Sequence, residues 1–148
     1  MSYFVTGGTG FIGRFLIGNL LKRKGSIHVL VRKASLKKFE AMAKKQGWDP
    51  KRVIAVAGDM TAANCGLTAA QIRALTGKVQ HFFHLAAIYD LTASAQEQQA
   101  ANIDGTRHAL DLAAALKVKC FHHASSIAAA GLYPGVFRED MFDEAEGL

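Results

Sequence analysis

The residues best suited to chemistry stand near the start of the chain. Thr6-Gly7-Gly8-Thr9-Gly10-Phe11-Ile12-Gly13 spaces its glycines as G-x-x-G-x-x-G. An apolar stretch, Tyr3 to Thr6, precedes the run. Apolar residues at helical spacing follow it: Phe11, Ile12, Phe15, Leu16, Leu20 and Leu21. A glycine turn between a strand and a helix is the context in which a dinucleotide pyrophosphate binds. Gly7 permits a tight turn off the strand. Gly10 lets the backbone come close to the phosphates, and Gly13 is expected to let the helix pack on the sheet. The helix N-terminus adds unpaired N–H groups and the positive end of its dipole. Gly8, Thr9, Phe11 and Ile12 complete the expected cradle.

The end of the second apolar run, Ile27 to Val31, bears on which nucleotide binds. A carboxylate there, about 20 residues past the glycines, would bind the ribose 2′-hydroxyl of NAD. This chain has Val31-Arg32-Lys33 instead. Arg offers a planar fork that fits a phosphate. NADP is therefore the expected cofactor, with Arg32 on its 2′-phosphate. Charge is distributed in the same sense. Residues 1–58 hold 12 Lys/Arg against 2 Asp/Glu, and residues 59–148 hold 6 against 10. The basic half suits an anion. Its cations are not interleaved with aromatics and no nucleic-acid module is readable, so no nucleic-acid partner is expected. Lys37, Lys38, Lys44 and Lys45 read as a solvated helix face.

Histidine and cysteine are the remaining reactive types. His81 with His84, and His122 with His123, form close pairs. Odd spacing along a strand sends the members of each pair to opposite faces. Neither pair makes a clamp, and no Cys or acid is seen to complete one, so no metal site is expected. His84 reads as a packed, hydrogen-bonded core residue. Cys65 and Cys120 lie far apart and read as two reduced thiols of a cytoplasmic protein. No apolar run reaches the roughly 18 residues that would span a membrane.

The elements that must position these groups alternate strictly. Strands are expected at Tyr3–Thr6, Ile27–Val31, Arg52–Ala57, Val79–Leu85 and Val118–Ala124. Helices are expected after the glycine turn, after a Ser35 cap with Leu36, Phe39, Met42 and Ala43 facing inward, over Leu67–Leu75, and over the Ala-rich stretch Gln96–Leu116. The strands are near-continuous apolar runs, as in a parallel sheet covered on both faces. The expected fold is α/β, a doubly wound parallel sheet (Rossmann) of order 3-2-1-4-5. Gly18 and Gly105 lie inside helices, where close approach to the sheet would offset their cost. Asn102 either orders a water or backbone group near the site or faces solvent. The weakest cover is expected beside the fifth strand. An exposed apolar flank there points to a homo-oligomer. The tail after Gly131 reads as irregular, with Glu139, Asp140, Asp143, Glu144 and Glu146 forming a solvated acidic run.

The glycine turn resembles that of the extended short-chain dehydrogenase/reductases, and four later segments agree. Gly58-Asp59-Met60 is similar to the segment whose Asp meets the adenine amino group. His84-Leu85-Ala86-Ala87 is similar to the fourth-strand segment that borders the cofactor. Asn102-Ile103-Asp104-Gly105-Thr106 resembles the Asn-x-x-Gly-Thr helix motif. His123-Ala124-Ser125-Ser126 resembles the end of the fifth strand, where a hydroxyl binds the substrate carbonyl. The resemblance implies cofactor contacts at Asp59, Met60, Leu85, Ala86 and Ala87. It makes Ser126 the catalytic candidate, stabilising charge on a carbonyl oxygen, with Ser125 structural. Val-Leu-Val-Arg and the stretch from His122 to Glu144 look most like bacterial fatty acyl-CoA reductases and thioester reductases. The implied activity is hydride transfer from NADPH to a fatty acyl thioester or aldehyde, a small-molecule acyl or carbonyl substrate. An NAD-dependent epimerase or dehydratase and a non-catalytic NADP-binding redox sensor are the alternatives. One departure is plain: Tyr3, Tyr89 and Tyr133 are the only tyrosines, and none has a Lys four residues on. The family's Tyr-x-x-x-Lys pair is thus absent. Residues 1–148 are expected to be one NADP-binding domain, the N-terminal fragment of a longer reductase, inactive alone.

Overall fold

The computed structural model describes residues 2–88 and 92–141. Five strands alternate with helices: β1 (Ser2–Thr6), β2 (Ser26–Val31), β3 (Val53–Ala57), β4 (Val79–His84) and β5 (Cys120–His123). Between them run α1 (Phe11–Leu20), α2 (Leu36–Lys45) and α3 (Ala69–Leu75). The β4–β5 crossover is one long helical stretch: α4 (Ala95–Gln98), a wider π-helical turn (Gln99–Asp104) and α5 (Gly105–Ala115). All strand pairs are parallel, and the sheet order is β3-β2-β1-β4-β5. This is the doubly wound order that the alternation of apolar runs predicts.

The central strand shows why the fold takes this form. All five residues of β1 are buried. Tyr3 and Val5 join a cluster with Ile17, Leu20, Ile27, Val29, Phe39 and Trp48, beneath α1 and α2. Phe4 points the other way, into a cluster with Phe82, Leu75, Ala109, Leu112 and Leu116, beneath α3 and α5. A strand covered on both faces has no solvated side, so it carries no polar alternation.

The buried side of α1 is Gly13, Ile17 and Leu20, whereas Phe11 and Phe15 are exposed and meet edge to face at 5.1 Å. Three local expectations are corrected. Ser35 does stand at the start of α2, but its side chain makes no capping bond, because a 3₁₀ turn over Lys33–Ser35 leads into the helix. Gly18 approaches nothing: a Cβ there would meet no atom within 4 Å. Gly105 does permit a close approach, but to the Met60 side chain rather than to the sheet. Arg52, just before β3, donates to the carbonyls of Leu21, Arg23 and Gly25, and so closes the C-terminal end of α1.

Edge cover thins at β5, none of whose residues is fully buried. Beyond it the chain makes a short 3₁₀ turn, Ile127–Ala130, and then little regular structure. Tyr89 and the acidic residues Asp143, Glu144 and Glu146 lie outside the described residues.

Candidate active site at the strand ends

The glycine turn and the C-terminal ends of β1, β4 and β5 enclose a cleft of about 790 Å³. Gly7, Gly10, Phe11, Ile12 and Gly13 form one wall, and Leu85, Ala86, Ala87 and Ile88 face them. Ser125 and Ser126 close the far end. A second hollow of about 300 Å³ continues past Gly7 and Ala86 towards Thr9, Arg32, Asp59 and Met60. The sequence-predicted residues thus line one trough, except Gly8, which lies buried beneath the turn.

Three of the four glycines are required by their surroundings. Gly7 has φ +69°, and a Cβ on it would stand 2.7 Å from Ala86 N. Gly8 has no room because Val29 Cγ1 would be 2.5 Å away. A Cβ on Gly10 would meet only Gly7 O, at 3.3 Å, and is otherwise open to the cleft. Gly13 corrects the expectation. Its missing side chain accommodates the glycine turn itself, with Gly7 O at 2.3 Å, rather than the sheet. The first helical bond of α1 runs from Arg14 N to Gly10 O at 3.1 Å. The N–H groups of Phe11, Ile12 and Gly13 therefore have no acceptor within the helix. Gly10, at the N-cap position, brings no side chain to cap them.

A buried polar relay sets the opposite wall. Thr106 Oγ1 donates to Asn102 O at 2.6 Å, so it must accept from His84 Nε2–H at 3.1 Å. His84 Nδ1 then accepts from the Thr6 hydroxyl at 2.8 Å. Thr6 Oγ1 in turn accepts from the N–H groups of Leu85, at 3.2 Å, and Ala86, at 3.3 Å. The chain leaving β4 is thereby tied to the end of β1. Burial, reinforced by His123, depresses His84 to about 4, so the ring is neutral at neutral pH. Asn102 fixes the next step: its amide clamps Ile88 from both sides, at 2.7 Å on N–H and 2.9 Å on C=O. Asn102 therefore orders backbone at the site. Thr6 was not singled out by sequence. Its signal was a lone polar residue at the end of an apolar strand.

Charge at the second hollow is also arranged. Asp59 Oδ1 accepts from the N–H of Thr61 at 3.0 Å and from its hydroxyl at 2.8 Å. Those bonds, with Arg32 nearby, hold its carboxyl below the usual range. Arg32 is exposed and forms neither of the two ion pairs among the described residues. At the other end, Ser126 Oγ accepts from Ala128 N at 3.2 Å, which leaves its proton free to donate. These features fit a dinucleotide: a bare glycine cradle, open N–H groups and an unpaired guanidinium at the far end.

The histidines depart from the sequence reading. Members of each pair do occupy opposite faces. Pairing of β4 with β5, however, sets His81 opposite Cys120, and His81 Nδ1 lies 3.1 Å from His122 Nε2. A cysteine thus stands beside one histidine from each pair. Spacing within a strand could not show a juxtaposition between strands.

Comparison with known proteins agrees with this architecture. The male sterility protein family matches residues 5–146. A linear gramicidin synthase from Brevibacillus parabrevis is 34% identical over 132 residues, covering 83% of this chain and 3% of that protein. The L-2-aminoadipate reductase large subunit of Penicillium chrysogenum is 31% identical over 137 residues, covering 85% of this chain and 10% of that protein. Among solved structures, the terminal R domain of the myxalamid PKS-NRPS pathway superposes with a TM-score of 0.82 at 28% identity, covering 95% of this chain and 39% of that one. The chain therefore spans well under half the length of these relatives. It belongs to the male sterility protein family, within the extended short-chain dehydrogenase/reductases.

Proposed function

We propose that the chain is an NADP(H)-binding domain. In the intact protein, hydride would pass from NADPH to an acyl thioester, fatty acyl thioesters included, or to the corresponding aldehyde. The observation that carries this reading is the continuous trough from Arg32, over the glycine turn, to Ser126. The N–H groups of Phe11, Ile12 and Gly13 would hold the pyrophosphate. Arg32 would take the 2′-phosphate. Asp59 and Met60 would border the adenine, and Leu85, Ala86 and Ala87 the nicotinamide half. Bound NADPH supplies the hydride. Ser126 would donate its hydroxyl proton in a hydrogen bond to the carbonyl oxygen as charge develops there. Thr6, His84 and Asn102 keep the facing backbone in place. The two free thiols, Cys65 and Cys120, suit a reducing cytoplasm.

No Tyr-x-x-x-Lys occurs in the 148 residues. A positioned proton donor typically contributes about 10²–10⁴-fold to rate. The chain by itself should therefore hold NADPH without turning over. Arg32 in place of an acid weighs against an NAD-dependent epimerase or dehydratase. The test pairs two readouts on the purified chain. NADPH fluorescence should change on binding, and NADPH oxidation with acyl-CoA or aldehyde should stay at background. Sustained turnover abolished by Ser126→Ala would show that the proton donor lies within this chain after all.

A further inference from the structure

The geometry points to a divalent-metal site on the sheet face beside α1, with His81 Nδ1, His122 Nε2 and Cys120 Sγ as ligands and zinc as the matching ion. The three ligand atoms all lie within 4.8 Å of one another, and the two nitrogens are 3.1 Å apart. Zinc bonds of about 2.0–2.1 Å to nitrogen and about 2.3 Å to sulfur place tetrahedral neighbours roughly 3.3–3.6 Å apart. The nitrogens stand a few tenths of an ångström inside that spacing, and the sulfur, within 4.8 Å of both, must close in by about an ångström at most. Two imidazoles and a thiolate select zinc, cobalt or copper over magnesium and calcium, which require oxygen ligands.

The scaffold holds these groups before any ion arrives. β4 and β5 are hydrogen-bonded in fixed register, with His81 opposite Cys120 and Phe83 opposite His122. The His122 ring lies flat against Phe83, with centroids 4.3 Å apart and planes 8° apart. His81 is stacked between Tyr3 and Phe83. Ring planes fixed in this way leave little rotamer freedom to be lost on ligation. All three ligands are only half-buried, so a fourth position stays open to water. The site is separate from the strand-end trough, which His123 to Ser126 line from the next residues of the chain. Its occupancy would tie β5, the thinly covered edge strand, to β4. Binding breaks the hydrogen bond between the two rings. The ring that donated it shifts that proton to its outer nitrogen, so protons then stand on His81 Nε2 and His122 Nδ1, and the Cys120 thiol proton is released to solvent.

Cobalt is the probe, added to the tag-free chain in reducing, chelator-free buffer. One equivalent should produce the intense visible bands of tetrahedral cobalt with a near-ultraviolet thiolate-to-cobalt charge-transfer band, and zinc should bleach both. Cys65 is fully buried, so the thiolate band reports Cys120. Cys120→Ser should remove that band, and His81→Ala or His122→Ala should weaken zinc binding at least tenfold. Zinc should also slow alkylation of Cys120 in the unmutated chain, a readout that needs no variant. A weak octahedral spectrum without the thiolate band would overturn the assignment, as would unchanged Cys120 alkylation under saturating zinc.

Discussion

His84 is 1% exposed, and its neutral ring joins Thr6 to Thr106, so stability must depend on pH in a defined direction. Protonation would turn Nδ1 into a donor facing Thr6 Oγ1, whose lone pairs already serve Leu85 and Ala86. Burial, with His123 beside it, holds the native ring down to about 4, against 6.5 for an unhindered histidine. As pH falls, the unfolded chain takes up the proton first. His84's contribution is thus complete above about 6.5 and is lost as pH falls towards 4. At about 1.4 kcal/mol per pH unit, that displacement comes to roughly 3 kcal/mol. Urea unfolding followed by Trp48, the single tryptophan and a core residue, should show the loss. His28 and His122 are also depressed, chiefly by desolvation, and slope the same way. The His84 share is the difference between the parent chain and His84→Leu. The variant should be less stable by roughly 2–4 kcal/mol at pH 8, through lost packing and a Thr6 hydroxyl left without its acceptor. That gap should narrow steadily towards pH 4. A gap independent of pH, or an NMR titration of His84 near 6.5, would refute the reasoning.

Two other substitutions probe the glycines in opposite directions. Gly13→Ala places a methyl group 2.3 Å from Gly7 O, so it should cost about 1–3 kcal/mol in urea unfolding and weaken NADPH binding. Gly18→Ala meets nothing within 4 Å and should raise stability by up to about 1 kcal/mol, seen as a higher unfolding midpoint.

The order of the sheet was legible because each strand is a short apolar run set between helical periods, and crossovers have one hand. The trough was legible because one turn, Gly7 to Gly13, carries several constraints within seven residues. Helix orientation was less so. Phe11, Ile12 and Phe15 have helical spacing, yet they face outward because Gly13 and Ile17 must approach the turn and β2. Gly18 read as a packing glycine because sequence shows the cost of glycine and not what surrounds it. His81, Cys120 and His122 escaped notice for a different reason. They are brought together only by the register of β4 on β5, between residues about 40 apart in the chain. Thr6 was passed over because its partners, His84 and the N–H groups after it, lie nearly 80 residues away.

Recognition of the 2′-phosphate by Arg32 is the feature that would set the cofactor preference. Calorimetric titration of the chain with NADPH and NADH, before and after Arg32→Asp, tests that point directly. A charge-assisted bond of about 1.5–3 kcal/mol corresponds to roughly a tenfold to hundredfold preference. NADPH should therefore bind more tightly than NADH by that margin, and Arg32→Asp should erase or reverse the difference. Equal affinities in the parent chain, or a preference that survives Arg32→Asp, would contradict the account.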